Sequence, residues 1–284
     1  MIIMIAFYTM CESAKQLLHC WLMSHLDELV DAILSRPKYR AISPDLVRRI
    51  GERELAVRRN MKEAVKATKN KLHQVGGAYF EAKVDYEAGL QMLRETTDLP
   101  ATSRTLMQHH ASTRERLPIL EEFYRTVFAH LPPIHRVIDV ACGLNPLAYP
   151  WMPLAPDAEY LAYDIYSDMM AFINGFMSLA GIKGKAEVRD VIGRPPAEPA
   201  DLILILKSLP CLEQVDKLAA QRLLAGLSGH YLLITYPAQS LGGRQKGMIT
   251  NYTAHFHSLA AGRNWQIQRF EFETELAFLV ETGN

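Results

Sequence analysis

The stretch RVIDVACGLNPLAYPWM, residues 136–152, decides the fold of this chain. It opens with RVIDV, an apolar run with β-branched residues that is typical of a buried strand. The strand runs into a short turn that contains Gly143, and α/β proteins often hold nucleotide-like ligands at such a turn. A dinucleotide-binding turn needs three glycines, whereas this turn has one. The stretch therefore predicts an α/β ligand site for something other than a dinucleotide.

Short runs of β-forming residues continue to the end of the chain: EYLAYDI, AEVRDVI, DLILILKSL, HYLLITYP, WQIQRFEFE and ELAFLVE. Near-continuous apolar runs such as 202–206 suit strands that are covered on both faces, which predicts a mainly parallel, doubly wound sheet. The last two runs are too close for a helical crossover and must form a hairpin. The predicted fold is thus α/β, a Rossmann-like seven-stranded sheet whose last strand pair is antiparallel. This arrangement is typical of class I S-adenosylmethionine (SAM)-dependent methyltransferases.

Composition narrows the class of protein. The 284 residues are 49% hydrophobic and 22% charged, with 31 basic and 31 acidic side chains, so a uniformly polycationic chain is excluded. The four cysteines are scattered without zinc-ligand spacing, which predicts no metal site and a reducing, cytoplasmic location. The apolar start of the chain is interrupted by Glu12 and Lys15, so no membrane anchor is expected.

The chain is expected to fall into three parts. Residues 1–22 are an extension, disordered or a mis-assigned start, and the alternative is an ordinary additional helix packed on the domain. Residues 23–106 show helical periodicity, with Ser43 and Pro44 as helix-start signals, and predict a helical amino-terminal domain. Residues 107–284 form the SAM-binding methyltransferase domain.

The helical part carries a segregated positive charge. Between Arg36 and Lys71 twelve basic residues stand against four acidic ones, an excess of eight in a chain of zero net charge. A charge run is often only a solvated helix face, but a phosphate backbone is a common reason for such segregation. The residues expected to contact RNA are Lys38, Arg40, Arg48, Arg49, Lys69 and Lys71.

Three aspartates end successive predicted strands: Asp139, Asp164 and Asp190. A carboxylate at the second strand end accepts hydrogen bonds from ribose hydroxyls, which suits Asp164. Asp139 could face an ammonium group, and Asp190 with its neighbour Val191 could border an adenine. Strand ends also favour aspartate as a turn residue, which explains each one singly but not all three together. The ligand that needs these groups and no phosphate site is SAM.

The small residues of the turn and an arginine in the segment before the first strand are further candidates for cofactor binding. Ala141 and Cys142 are small enough for close backbone approach, and Cys142 is expected to pack rather than to react, since no histidine stands in motif spacing to activate it. In HASTRERL, residues 110–117, Ser112 or Thr113 is expected to cap a helix. That start would place Arg116 near the helix amino terminus, against the macrodipole, so an anionic partner such as the SAM carboxylate is expected.

Several motifs together resemble one family, the aminoglycoside-resistance 16S rRNA (guanine-N7) methyltransferases, which modify the decoding-site guanine 1405. They are KYRAISPDLVRRI, KLHQVGGAY, HASTRERL, VIDVACGLNPLA, LILKSLPCLE and SLGGRQKGMITNY, and the resemblance extends from about Met23 to the end.

The resemblance implies a SAM-dependent transferase, with S-adenosylhomocysteine as product and no metal. It implies docking of the helical domain on 16S rRNA in the assembled 30S subunit by a monomer, and thereby aminoglycoside resistance. It places Arg116 at the SAM carboxylate, the turn at Gly143 at the methionine, and Leu206 and Lys207 as a wall of the cofactor site. The loop near residue 250 would position the target base, with the residues Arg244, Lys246, Met248, Asn251 and Tyr252.

The chemistry implied by the resemblance needs no catalytic acid or base, because guanine N7 carries a lone pair and no proton at pH 7. Histidines 109, 110 and 255 are therefore not expected to act as bases. A base in a helix must be flipped out to be reached. The alternatives are a methyltransferase for another rRNA position, such as adenine N1, one for a small molecule, or a non-catalytic 30S-binding assembly factor.

Overall fold

The computed structural model describes residues 12–74, 84–238 and 247–283, with side chains described from residue 23 onward. In chain order its elements are α1 (Glu12–Leu34), α2 (Pro44–Val57), α3 (Met61–Leu72), α4 (Tyr86–Glu95), α5 (Leu99–Met107), α6 (Ala111–Arg116), α7 (Leu120–Phe128), β1 (Arg136–Val140), β2 (Glu159–Asp164), α8 (Ser167–Leu179), β3 (Gly184–Val188), β4 (Ala200–Leu206), α9 (Leu209–Val215), α10 (Ala219–Gly226), β5 (Gly229–Pro237), α11 (Met248–Ala260), β6 (Gln266–Glu271) and β7 (Glu275–Glu281). Two 3-10 segments, Leu117–Ile119 and Asn145–Trp151, follow α6 and β1.

The seven strands form one sheet in the order β3-β2-β1-β4-β5-β7-β6. Strands β1 to β5 are parallel, and β7 pairs antiparallel with both β5 and β6. The predicted fold, with its closing antiparallel pair, is confirmed. The chain builds outward from β1 through β2 and β3, then returns to β4 on the other side, which leaves a crevice at the carboxyl ends of β1 and β4.

Both faces of the central strands β1, β2 and β4 are covered, which explains their continuous apolar runs. Val137 of β1 belongs to a core cluster with Phe123 of α7 and Phe176 of α8. Ile138, its neighbour, points to the opposite cluster, which contains Phe256 of α11. Burial of each such side chain stabilises the fold by about 1.5–3 kcal/mol relative to exposure.

Helices α1 to α3 form a separate core. Residues of α1, α2 and α3, among them Leu29, Val47 and Leu72, pack together. Ser43 caps α2 as predicted, because its hydroxyl accepts the Leu46 N–H at 3.5 Å and Pro44 takes the first helical position.

Helices α4 and α5 precede the boundary expected at residue 107, and they pack on the sheet. Leu93 of α4 and Leu106 and Met107 of α5 belong to the core on the sheet face, and not to the core of α1 to α3. By packing, the helical unit consists of helices α1 to α3. At the other end, residues 12–22 form the start of α1, as in the alternative prediction of a helix, and residues 1–11 lie outside the described part of the chain.

The helical unit joins the sheet at the carboxyl end of β2. The Ser43 N–H donates to the Ile165 carbonyl at 2.7 Å, and the Ser167 N–H donates to the Ala41 carbonyl at 2.8 Å. Helices α1 to α3 therefore lie against the sheet edge where parallel α/β folds bind ligands. Within the described ranges, no helix combines the length and apolarity that a membrane span requires.

Candidate cofactor and RNA site

A cleft of about 760 Å³ opens at the carboxyl ends of the central parallel strands. The loops after β1, β2, β3 and β4 all contribute to its walls, as expected at the point where the strand order reverses. Seven of the residues predicted for the cofactor line the cleft: Ala141, Cys142, Asp164, Asp190, Val191, Leu206 and Lys207.

The turns after β1 and β4 have unusual backbone conformations. Ala141 and Lys207 have φ values of 52° and 58°, in the left-handed region that non-glycine residues rarely adopt, and Gly143 has a φ of 52°. A Cβ atom on Gly143 would lie 2.7 Å from the His110 ring, so glycine is required there for space as well as for conformation. Strained residues of this kind cluster at ligand sites, because the surrounding structure has to hold them.

Asp164 connects the turn to β2. Its carboxylate accepts the Gly143 N–H at 2.9 Å and the Ile165 N–H at 2.6 Å, one on each oxygen. Burial raises the pKa of Asp164, although these two hydrogen bonds oppose the shift. A carboxylate has about four acceptor positions, so the two that remain can accept ribose hydroxyls from the cleft.

Asp139 is fully buried beneath the turn. Its Oδ2 accepts the Tyr160 hydroxyl at 2.7 Å and the Asn145 amide at 2.9 Å, while Oδ1 is buried and has no hydrogen-bond partner among the described residues. Burial raises the pKa of Asp139 to about 6. A buried acceptor without a donor costs about 1–3 kcal/mol, and a cationic donor such as the ammonium of SAM would satisfy it. This unpartnered acceptor thus fits the ammonium end of a zwitterionic ligand.

The predicted helix cap at Ser112 or Thr113 is wrong, and so is the predicted position of Arg116 near the amino terminus of that helix. Helix α6 begins at Ala111 and ends at Arg116, so this arginine lies in the last turn, where a cation suits the macrodipole. Thr113 is no cap, since its hydroxyl donates to the Met107 carbonyl at 2.6 Å. The Arg116 side chain is 0% exposed and does not line the cleft.

The anionic partner of Arg116 is Glu275, the first residue of β7. Two nitrogens of Arg116 donate to its carboxylate at 3.0 and 2.7 Å, and the third donates to Asn145 Oδ1 at 2.8 Å. Burial disfavours the Glu275 carboxylate, but Arg116 and Lys207 outweigh burial and hold its pKa below its usual value. A cofactor carboxylate would have to share or displace this partner. The network also fixes Asn145, which supports Asp139.

Lys207 lines the cleft as predicted, but its ammonium group turns inward. It donates to the Ser112 carbonyl at 2.7 Å and to Glu115 at 2.9 Å, and only 4% of the side chain is exposed. Lys207 therefore ties the loop after β4 to helix α6.

His110 and Leu46 are among the cleft residues that sequence reasoning missed. His110 packs on Gly143, and burial, with the cations Lys207 and Arg116, lowers its pKa to about 3, so it is neutral at pH 7. Leu46 comes from α2 of the helical unit, so both units line the cleft. Nothing in the sequence around His110 and Leu46 indicates that they line the cleft, because tertiary packing brings them there.

Arg49, predicted to contact RNA, instead lies beside the cleft. Its guanidinium donates to both oxygens of Asp190, at 2.5 and 3.0 Å, and its side chain is 17% exposed. This pairing satisfies the buried carboxylate of a cleft residue, so Arg49 is not part of an exposed basic surface.

The residues predicted for the target base lie on α11. Met248, Asn251 and Tyr252 stand at positions i, i+3 and i+4, which share one helix face. The Tyr252 ring stacks on Tyr236 of β5, with centroids 4.8 Å apart and planes 23° apart. Burial and the nearby thiol of Cys211, a cleft residue, raise the pKa of Tyr252. Arg244 and Lys246 lie outside the described residues.

Eight of the twelve basic residues between 36 and 71 have no ion pair among the described residues. Lys38 and Arg40 are exposed, as an RNA contact requires, whereas Arg48 pairs with Asp27. Lys69 lies over the Tyr39 ring, and Lys71 donates to the Gln214 carbonyl at 3.2 Å. Sequence reasoning passed over Lys62 and Lys66, which are exposed and line a groove on α3 together with Lys69.

The described part of the chain contains no group of three or more His, Cys, Asp or Glu side chains arranged to hold a metal ion.

Comparison with known proteins gives one consistent result. A family model described as ribosomal RNA methyltransferase (FmrO) matches residues 35–279. The chain is 37% identical over 263 residues to a 16S rRNA (guanine(1405)-N(7))-methyltransferase of Micromonospora rosea, covering 90% of this chain and 96% of that protein. A Serratia marcescens protein of the same name is 34% identical over 257 residues, with 90% and 98% covered.

The solved structures agree. The 16S rRNA methyltransferase RmtF, in complex with S-adenosyl-L-homocysteine, superposes with a TM-score of 0.77 at 32% identity, covering 91% of this chain and 98% of that one. The 16S rRNA methylase RmtB also gives a TM-score of 0.77, at 31% identity, covering 90% and 98%.

Proposed function

The chain belongs to the FmrO family of ribosomal RNA methyltransferases, and from this membership we propose that it transfers a methyl group from SAM to N7 of guanine 1405 of 16S rRNA. The substrate is the assembled 30S subunit in the cytoplasm, and the protein acts as a monomer. Modification of the decoding site protects the ribosome against aminoglycosides. The observation that carries the proposal is the cleft at the strand-order reversal, which has buried carboxylates at the tips of adjacent strands.

Each strand tip has a proposed part in cofactor binding. Asp164 accepts the ribose hydroxyls, Asp190 and Val191 border the adenine, and the turn at Gly143 receives the methionine portion. Asp139 compensates the ammonium group through its unpartnered oxygen. SAM in this cleft supplies an electrophilic methyl group. The protein therefore has to orient and enclose the reactants, which requires no proton transfer by a side chain.

The α11 face supplies the proposed place for the flipped guanine. Tyr252 offers an aromatic surface already held by Tyr236, and Asn251 is exposed and able to bond a base edge. The neutral, buried His110 and the buried Cys142 are not reagents for this reaction. Burial raises the pKa of the Cys142 thiol far above its usual value, so the thiolate is not formed at pH 7.

Docking is proposed for the helical unit. Flipping a base costs a few kcal/mol, which extended contacts with the folded rRNA can offset. Exposed basic residues such as Lys38, Arg40, Lys62 and Lys66 are suited to phosphates, whereas the base-specific contacts belong to α11.

The proposal is tested by incubation of the protein with methyl-labelled SAM and, separately, 30S subunits, 50S subunits and protein-free 16S rRNA. We expect label on the 30S subunit alone. Label on the protein-free rRNA would contradict the proposal that the enzyme requires the assembled 30S subunit. Absence of label on every RNA, with SAM binding intact, would favour the assembly factor.

A further inference from the structure

The ion pair between Arg49 and Asp190 connects the two units of the protein at the cofactor cleft. The two residues are 141 positions apart, and the guanidinium meets the carboxylate in a bidentate arrangement with contacts of 2.5 and 3.0 Å. A bidentate pair fixes the plane of the carboxylate as well as its position. Asp190 is 4% exposed and lines the cleft.

No other ion pair holds Asp190 within the described residues. Apart from Arg49, the donor to its carboxylate among the described residues is the Ile192 N–H, which donates to Oδ1 at 3.2 Å. Arg49 therefore determines the orientation of the carboxylate, and because Oδ1 accepts two hydrogen bonds and Oδ2 one, an acceptor position on Oδ2 remains for a ligand. The same helix, α2, places Leu46 in the cleft wall, one turn before Arg49.

We propose that Arg49 is a positioning residue for the cofactor: the helical unit holds the Asp190 carboxylate in the orientation that receives the adenine of SAM. This inference rests on the proposed SAM-dependent function. The proposal gives the helical unit a second function: besides docking on rRNA, the unit completes the cofactor site. It also moves Arg49 from the RNA-binding set to the cofactor site.

The alternative, that Arg49 contacts an rRNA phosphate, fits the structure less well. The side chain is 17% exposed, and its charge is compensated by a carboxylate. Binding to a phosphate would leave the buried Asp190 without its counter-ion, which is strongly unfavourable.

The test measures binding of two ligands to the full chain by isothermal titration calorimetry. S-adenosylhomocysteine contains the adenosine and the amino acid, whereas 5′-methylthioadenosine lacks the amino acid. In Arg49→Gln we expect the dissociation constants of both ligands to rise by a similar factor, on the order of tenfold or more. In Arg49→Lys, which keeps the charge without the fork, we expect a smaller rise for both.

The matched control is Arg53→Gln. Arg53 stands one turn further along α2 and also pairs across the two units, with Asp216 at 2.6 Å, but neither residue lines the cleft. We expect ligand affinities of Arg53→Gln to equal those of the wild type. An equal loss in both variants would overturn the proposal, because any broken contact between the units would then suffice.

Folding and RNA binding are followed separately. Thermal unfolding without ligand reports the structural cost of each variant, and Arg49→Lys keeps the test usable if Arg49→Gln is poorly folded. The salt dependence of 30S binding should be the same for Arg49→Gln, which removes the charge, and the wild type, whereas a shallower dependence would identify Arg49 as a phosphate contact and overturn the proposal. Wild-type affinity of Arg49→Gln for both ligands would overturn it as well. Failure of the wild type to methylate 30S subunits would refute the proposed function without affecting these binding results.

Discussion

At Asp139, stability of the fold and the proposed binding of the cofactor favour different charge states of the side chain. Its pKa is about 6 in the folded protein and 3.8 in the unfolded chain, because burial disfavours the carboxylate. The folded state therefore binds this proton more tightly, and the ionised group opposes folding above about pH 6. This cost disappears as the pH falls from 6 towards 4.

We expect Asp139→Asn to raise the midpoint of thermal unfolding at pH 8, by a stabilisation of about 1–3 kcal/mol, because no charge is buried. The difference from the wild type should shrink at pH 5. The same variant should bind SAM more weakly at pH 8, since the ammonium group loses its counter-charge. Calorimetry at the two pH values checks both effects, and wild-type SAM affinity in the variant would contradict the assignment.

Gly143 has two separate requirements, one for its backbone and one for space. Gly143→Ala places a methyl group 2.7 Å from the His110 ring at a φ of 52°. We expect loss of SAM binding and a lower unfolding midpoint. Gly181→Ala is the control, because Gly181 has a φ of 67° with open space around it, and it should cost only about 1–2 kcal/mol with SAM affinity unchanged. Equal behaviour of the two variants would contradict the packing argument.

The positions of the aspartates at the strand ends could be predicted from the sequence, whereas the residues that contact them or the turn could not. Asp139 and Asp164 follow from local β pattern, because parallel strands end at one edge of the sheet. Arg49 and His110 contact the cleft only through tertiary packing that no local periodicity encodes. Arg116 shows a third case, since its helix starts earlier than expected and ends at this residue, which removes the argument from the macrodipole.

At the scale of elements, α11 depends on a hydrogen-bonded support. The Tyr236 hydroxyl meets His255 Nδ1 at 3.1 Å, and His255 Nε2 meets Glu213 Oε2 of α9 at 2.9 Å. These contacts join β5, α9 and α11, and they hold the ring on which Tyr252 stacks. The orientation of the proposed base platform is thereby set by three elements.

We expect Tyr252→Ala to slow methyl transfer to 30S subunits by roughly tenfold to a hundredfold, because base–aromatic stacking contributes about 1–3 kcal/mol. Single-turnover transfer measures this rate, and SAM affinity should not change. Tyr252→Phe keeps the ring and should retain most of the rate. A slow Phe variant would show that stacking is not the function of Tyr252.

Helix α3 presents a basic face to solvent. Lys62, Lys66 and Lys69 line one groove, whereas Lys71 is tied to the Gln214 carbonyl of the other unit. We expect Lys62→Gln combined with Lys66→Gln to weaken 30S binding and to reduce its salt slope by about 0.7–0.9 for each rRNA phosphate that the variant no longer neutralises.

The control for this face is Lys183→Gln, an exposed lysine that precedes β3 at the amino edge of the sheet. Its 30S affinity, measured over a range of salt concentrations, should match the wild type. An unchanged slope in the double variant would place the docking surface elsewhere.

At the scale of the whole molecule, residues of both units line the cofactor cleft. The sheet supplies the strand tips, and the helical unit supplies Leu46 and, through Arg49, the orientation of Asp190. The change of periodicity in the sequence indicates two units with an expected boundary at residue 107, whereas α4 and α5 are helical and yet pack on the sheet. Periodicity identifies an element, whereas packing decides to which core it belongs.

The central claim is that this cleft delivers a methyl group to N7 of guanine 1405. The most direct measurement is mass spectrometric mapping of 16S rRNA from 30S subunits treated with SAM and the protein, with Asp164→Ala as the inactive control. The account predicts one additional methyl group, on N7 of guanine 1405, in the wild-type reaction alone. A methyl group on N1 of an adenine, or an unmodified guanine 1405, would contradict it.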